Sequence, residues 1–458
     1  MVSIPLGLGD WESSSQDIPR LKMNNMYVTG NPSSPDAVSR VSRPALEFFK
    51  TIGTGPIKGF WRQDTTLDGD WLVVSGTELY RVNATTFVAT KLGNVPGSGY
   101  CEFAGTPTLV VFVRDGVTYL INGGALSTIA VPDDLLIESV ATINSYFLLT
   151  VKDQQKFFWM DPGEITIDAL NFASAERIPD PIQAVKVISD EVWFLGKSGP
   201  EVWTPTGVAD APFQRVSGRV YNEGCFTRST VVSNTIDGIP SLLWVTDSKA
   251  VVFSQGSPKK ISNESVEELL KTTDDLVGWT FRHSRHDFYV VTSPEFSLVY
   301  DINTGYWMKW GSYLKNYWKA ELVIQISSDI YVGDREDGTI WKLVEGVSDG
   351  DSPIIREVSG FMPNSGPAMR CSIVEAFVNS GWSPSYDLNP TLELRWSEDL
   401  GATWSDYVSA SLGERGNFTR TVTFRSLGLI RNPGRVFEFR ISDPVRFRLD
   451  YATVNERN

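Results

Sequence analysis

Asp190-Glu-Val-Trp-Phe-Leu-Gly-Lys-Ser-Gly-Pro-Glu-Val-Trp-Thr204 joins an aromatic and β-branched run to a second apolar run through a turn of small, polar residues. That order specifies two antiparallel strands, because branched and aromatic side chains fit a pleated surface and the turn residues tolerate a tight reversal. The pattern returns at residues 71–82, 108–121, 145–160, 242–253, 287–301 and 329–343. Its turns fall near Gly76, Asp115, Asp153, Ser198, Asp247, Ser293 and Asp337, between 38 and 49 residues apart. A period of about 40–50 residues with four short strands per unit is that of a β-propeller blade. A lone hairpin cannot bury its apolar face, so such units must stack on one another.

Working outward, the chain divides into three expected parts. Residues 1–60 are rich in Pro, Gly, Ser and Asn, with a turn cluster at Asn31-Pro-Ser-Ser-Pro-Asp36, and read as an extended N-terminal arm plus first strands. Residues 61–345 carry the propeller. Within them, Ser262-Asn-Glu-Ser-Val-Glu-Glu-Leu-Leu-Lys-Thr272 has N-cap residues, early acids and an apolar stripe at Val266, Leu269 and Leu270, which predicts one short helix on the outside of a blade. Beyond a Gly/Ser/Asp linker, residues 354–458 alternate apolar and polar over several strands and are expected to form a small β-sandwich. Residues 413–458 hold nine Arg against five acids, a mildly basic side suited to a solvated face or a subunit contact.

The 458 residues carry a formal charge of −14 and a pI near 4.8, which argues against a conventional DNA- or RNA-binding domain. An acidic surface fits a wall that DNA passes without sticking, and equally fits ordinary solubility. Three scattered cysteines, Cys101, Cys225 and Cys371, give neither a disulfide framework nor metal spacing. The N-terminus has no basic n-region followed by a long apolar core, and no apolar run approaches the ~20 residues of a membrane span, so synthesis in the cytoplasm is expected.

Chemistry is sparse. The only histidines, His283 and His286, share a turn-like segment with no supporting Cys or carboxylate pattern for a metal, and no Gly-x-Ser-x-Gly elbow or Gly-rich phosphate loop accompanies them. Ser397-Glu-Asp-Leu-Gly-Ala-Thr-Trp404 is the sharpest motif. It matches the Asp-box, a hairpin turn in which Ser397 and Asp399 bond the turn backbone, Gly401 supplies a positive φ, and Thr403 and Trp404 complete the pattern. Asp-boxes occur in sialidases, which motivates an alternative reading as a carbohydrate-binding or sialidase-like propeller protein. The motif is structural there, however, so no catalytic, cofactor or metal residue is assigned and the protein is expected not to be an enzyme.

Several stretches together resemble the packaged-DNA stabilisation proteins, the tail hub or nozzle proteins of short-tailed bacteriophages (podoviruses). They are Asn25-Met-Tyr27, Arg43-Pro-Ala-Leu-Glu-Phe48, Gly55-Pro-Ile-Lys-Gly59, Glu201-Val-Trp203, Pro212-Phe-Gln-Arg215 and Gly224-Cys225, then Val266–Leu270, His286-Asp-Phe-Tyr-Val-Val291, Val299-Tyr-Asp-Ile-Asn-Thr-Gly-Tyr-Trp307, Leu394-Arg-Trp-Ser-Glu-Asp399 and Phe437-Glu-Phe-Arg-Ile-Ser-Asp-Pro444. The resemblance implies a virion tail protein, hexameric below the portal and adaptor ring, that continues the DNA channel, retains the packaged genome and docks a tail needle, tip or tailspike. It also implies a propeller of six blades, where the hairpins number seven, and no cofactor. Where the family often has Pro-Gly, this chain has Pro44-Ala45, so that turn must avoid a Gly-only conformation.

Overall fold

The structure is a computed structural model that describes residues 2–11, 18–176, 179–209, 211–379, 389–413, 416 and 419–455. Seven four-stranded antiparallel arrays carry the repeat. In chain order the blades span 57–94, 102–128, 137–174, 182–215, 232–260 and 277–309, and the seventh joins 320–344 to Ala45–Thr51. Each hairpin read from sequence is the second and third strand of one blade. The seventh blade borrows its outer strand, Ala45–Thr51 pairing antiparallel with Thr339–Val344, so hydrogen bonds between the two ends of the repeat close the ring.

Stacking explains why these strands are apolar on both faces. In blade one, Trp71 and Val73 join the core shared with blade seven, while Leu72 and Val74 join the core shared with blade two. In blade four, Val192 and Phe194 face blade three, and Trp193 and Leu195 face blade five. Successive strand residues point to opposite faces, and both faces meet a neighbour. The helix, Glu264–Leu270, is capped by Asn263, whose side chain accepts from Val266 N at 3.0 Å. It packs Val266 and Leu270 into the seam between blades five and six, where blade-to-blade packing needs filling.

The N-terminal residues are built into the C-terminal sheets. Val2–Ser3 pairs with Arg448–Asn455, and the hairpin of Met26–Gly30 and Val38–Ser42 pairs through Arg40 and Val41 with the same strand. Met23–Asn24 lies between Tyr306–Lys309 of blade six and Arg356–Pro363, so one nine-stranded sheet runs from blade six into the sandwich. Accordingly the seam between blades six and seven and the interior of the sandwich form one core, from Trp279, Trp310 and Trp318 to Val374, Phe439 and Val454.

Arg43 pins this junction. Its guanidinium meets both Asp349 oxygens (3.0 and 2.7 Å) and donates to Asn25 Oδ1, Pro44 O and Gly311 O, all out of solvent. Ala45 follows in extended, buried strand, with no demand for glycine.

Candidate functional site

The inner strands of the blades converge on the propeller axis, and a set of half-buried charged side chains around buried Glu321 meets there. Glu102 opens the inner strand of blade two, between Lys186 of blade four, with which it forms a salt bridge, and Arg228 ahead of blade five at 3.6 Å. Ser139 of blade three donates to Glu102 at 2.7 Å, and Glu138 beside it lies 3.5 Å from Arg228 Nε. On the other side, Tyr100 Oη donates to Glu321 of blade seven at 2.6 Å and Thr292 of blade six donates to the same carboxylate at 2.7 Å. Lys58 of blade one sits 3.9 Å above the Tyr100 ring. Six blades and the segment ahead of blade five thus contribute a polar group. Tyr100, Glu102, Lys186 and Arg228 line a cavity of about 370 Å³.

Two neighbouring carboxylates are tuned apart. Burial would raise Glu102, but Lys186 and Arg228 outweigh it and hold the carboxyl below its usual range. At Glu138 burial prevails over Arg228 and the carboxyl is raised. Cys101 shares this cavity, and burial pushes its thiol up to about 12, where little thiolate forms. The axis therefore holds a structural ion network across the blades. Sequence reading missed it because its members are scattered along the chain from Lys58 to Glu321, about one to a repeat. The available signal was a charged residue recurring within the otherwise apolar first strand of a repeat, at Glu102, Glu138, Lys186 and Glu321.

The Asp-box residues come together in the sandwich hairpin between Thr391–Ser397 and Val408–Ser411. Ser397 Oγ donates to Asp399 Oδ1 at 2.7 Å and accepts from Gly401 N at 2.8 Å, while Thr403 donates to Asp399 through N (2.8 Å) and Oγ1 (2.6 Å). Gly401 takes φ +100°, and a Cβ there would lie 3.0 Å from Arg20 Cβ. Arg20 N donates to Leu400 O at 3.0 Å, so the turn fastens the N-terminal segment. Trp404 is half-buried, with the Arg395 guanidinium 4.6 Å from its ring centre; Arg395 lies 4.7 Å and Arg440 5.1 Å from that of Tyr407. Arginines, not open space, cover these rings.

Both histidines lie beside the sandwich. His286 Nδ1 is 2.7 Å from Asp301 Oδ2, and Tyr27 of the N-terminal hairpin packs its ring edge-on at 5.1 Å. His283 lines a cleft with Glu345 and Arg446, and burial lowers its imidazole. No group of three or more His, Cys, Asp or Glu positioned for a metal occurs among the described residues. No helix there is long and apolar enough to cross a membrane. Cys225 and Cys371 are buried and free.

Residues 2–348 match the family described as "Bacteriophage P22 Gp10, beta-propeller", and residues 355–456 match "Bacteriophage P22 Gp10, beta-sandwich". A search of curated proteins finds no match. Among solved structures, the computationally designed Ika8 protein is similar at 10% identity and TM-score 0.42, over 66% of this chain and all of that one. YCF48 from Cyanidioschyzon merolae is similar at 12% identity and TM-score 0.41, over 66% of this chain and 98% of that one. The extracellular domain of the putative one-component system BT4673 from B. thetaiotaomicron is similar at 10% identity and TM-score 0.44, over 86% of this chain and 60% of that one.

Proposed function

The chain belongs to the bacteriophage P22 Gp10 family and is a structural protein of the phage tail, and from this we propose that six copies form a hub or nozzle ring below the portal and adaptor. The ring continues the DNA channel, helps retain the packaged genome and docks a needle, tip or tailspike. Family membership over both domains carries this reading. The axis of the single propeller supports it indirectly, since charged and polar side chains of separate blades pair across it, Glu102 with Lys186 and Tyr100 with Glu321. The conduit therefore lies between copies. A lumen rich in Asp and Glu is expected, because Lys and Arg facing the phosphates would hold back an exiting genome. Cyclic rings use head-to-tail contacts, which must be extensive to resist internal pressure.

Imaging virions labelled with antibody to this protein tests the placement. The expected result is label at the tail, just below the portal vertex; label on the capsid shell or fibres refutes it. Mixing purified protein with portal–adaptor complexes tests assembly, and the expected product is a stable ring of added mass equal to six chains.

A further inference from the structure

We propose that the far tip of the sandwich carries an arginine groove that docks onto the acidic turns of blades three to five of a second copy, an inference that rests on the ring reading. The register places the groove. Strand Ile373–Asn379 has Asn379 at the cleft shared with His283 and Glu345 of the propeller, while Ile373 pairs with Arg425 at the opposite end. Six residues of extended strand separate the two ends by about 20 Å. At that remote end Arg370, Ser372, Arg425, Ser426 and Leu429 line a groove of about 590 Å³ with no carboxylate in its wall.

Six of the ten described sandwich arginines are already engaged: Arg395, Arg435, Arg440, Arg446 and Arg448 meet carboxylates, and Arg356 meets three backbone carbonyls. Arg370 and Arg425 have no ion-pair partner among the described residues and are exposed, as is Leu429. The groove lies at the end of its strands remote from its own propeller, where a second molecule can reach it.

Charge identifies that molecule. Residues 355–458 hold 12 Arg, no Lys and 12 acids, so the whole −14 belongs to residues 1–354. In a four-stranded antiparallel blade the first and third connections emerge on one face. On that face of blades three to five stand Glu164, Asp168, Asp190 and Asp237, all exposed and without an ion-pair partner among the described residues. Ile165 and Leu170, the latter 82% exposed, flank Glu164 and Asp168 and offer apolar surface to Leu429. Two cations are too few to track a phosphate backbone on so acidic a chain, which favours a protein occupant. Groove and turns are different surfaces of one chain, as a head-to-tail contact requires.

The test compares assembly of the full chain on portal–adaptor complexes by light scattering and cross-linking. Arg370→Glu with Arg425→Glu is expected to raise the concentration for half-assembly roughly tenfold, and Glu164→Arg with Asp168→Arg to do the same. The quadruple variant, in which every contact pairs a reversed groove with a reversed turn, is expected to recover assembly. Wild-type assembly with undiminished assembly of the double variants overturns the groove and leaves the ring standing. So does a quadruple variant that fails to recover while circular dichroism stays native. Protection of the groove from arginine-directed modification by duplex DNA alone overturns it in favour of a nucleic-acid site. Failure of the wild type to form any ring overturns the ring reading itself.

Discussion

Blades one to five and the C-terminal sandwich bury their strands by opposite routes. Each of those blades is made from one continuous stretch of chain, with every strand paired to its sequence neighbour. The sandwich is made from both ends of the chain, with Val2–Ser3, Met26–Gly30 and Val38–Ser42 supplied from the far side of the whole propeller sequence. Local pairing needs little loop closure, whereas the sandwich must wait for its distant strands. The strands of each of these blades therefore pair without waiting for distant chain, and those of the sandwich do not.

Truncation separates the two routes most sharply. Deleting residues 2–42 removes three strands and the Met23–Asn24 link from the sandwich while sparing Ala45–Thr51. The sandwich is expected to lose its cooperative transition and become protease-sensitive from about residue 350, with blades one to five intact. Extending the deletion through residue 51 opens blade seven as well, and the propeller transition is then expected to fall too. A truncated chain whose sandwich stays protease-resistant would show that the borrowed strands are dispensable.

Point changes at the shared core come next. Asp349→Asn leaves the Arg43 charge buried without its carboxylate, a loss expected to cost about 3–5 kcal/mol in denaturant unfolding. At the propeller axis, Glu102→Gln leaves Lys186 without its carboxylate and Arg228 with Glu138 alone, and is expected to cost about 2 kcal/mol. Glu138→Gln provides the contrast. The folded-state carboxyl of Glu138 is raised, so its ionisation takes stability away as pH climbs from the ordinary carboxylate range through that higher value. Removing that ionisation is expected to be neutral or slightly stabilising at pH 7, and to flatten the pH dependence just above the ordinary carboxylate range.

How much was legible from sequence follows the same division. The seven hairpins were readable because the middle strands of a blade are apolar throughout, as in Trp71–Ser75 and Glu191–Gly196. The short helix was readable from Asn263 and its Val266/Leu270 stripe. The joining of residues 2–42 to the sandwich was hidden, because strand pairing between opposite ends of a chain leaves no periodicity. Val38-Ser-Arg-Val-Ser42 looks like any short polar-apolar segment, and only its partner, Arg448–Asn455, makes it a core strand. Arg43 stood within a quoted motif, but its role as a buried anchor depends on Asp349, which lies in the linker. The axial network stayed invisible for the same reason, its members being scattered over separate repeats from Lys58 to Glu321. The Asp-box is a contiguous motif, Ser397 to Trp404, whereas its contact with Arg20 joins residues about 380 apart and leaves no local signal.

That contact sets the smallest effect and the finest test of the comparison, since it joins a local turn to the borrowed segment. Partial desolvation would raise the Asp399 carboxyl, but hydrogen bonds from Ser397 and Thr403 outweigh it and hold the group at about 2. A depressed carboxyl contributes stability that is present above the unfolded value of about 3.8 and lost as pH falls through about 2. Asp399→Ala is therefore expected to cost about 1 kcal/mol near neutrality, as loss of a capping acceptor does, and progressively less below pH 4. The turn also holds Leu400 at φ +59°, a conformation that a residue with a bulky side chain adopts only under constraint. Once the turn relaxes, Leu400 O no longer meets Arg20 N, and limited proteolysis should cut first near residue 20 while cleavage inside blades one to five is unchanged. Equal cutting at both places would mean that the turn stabilises its own hairpin and nothing beyond it.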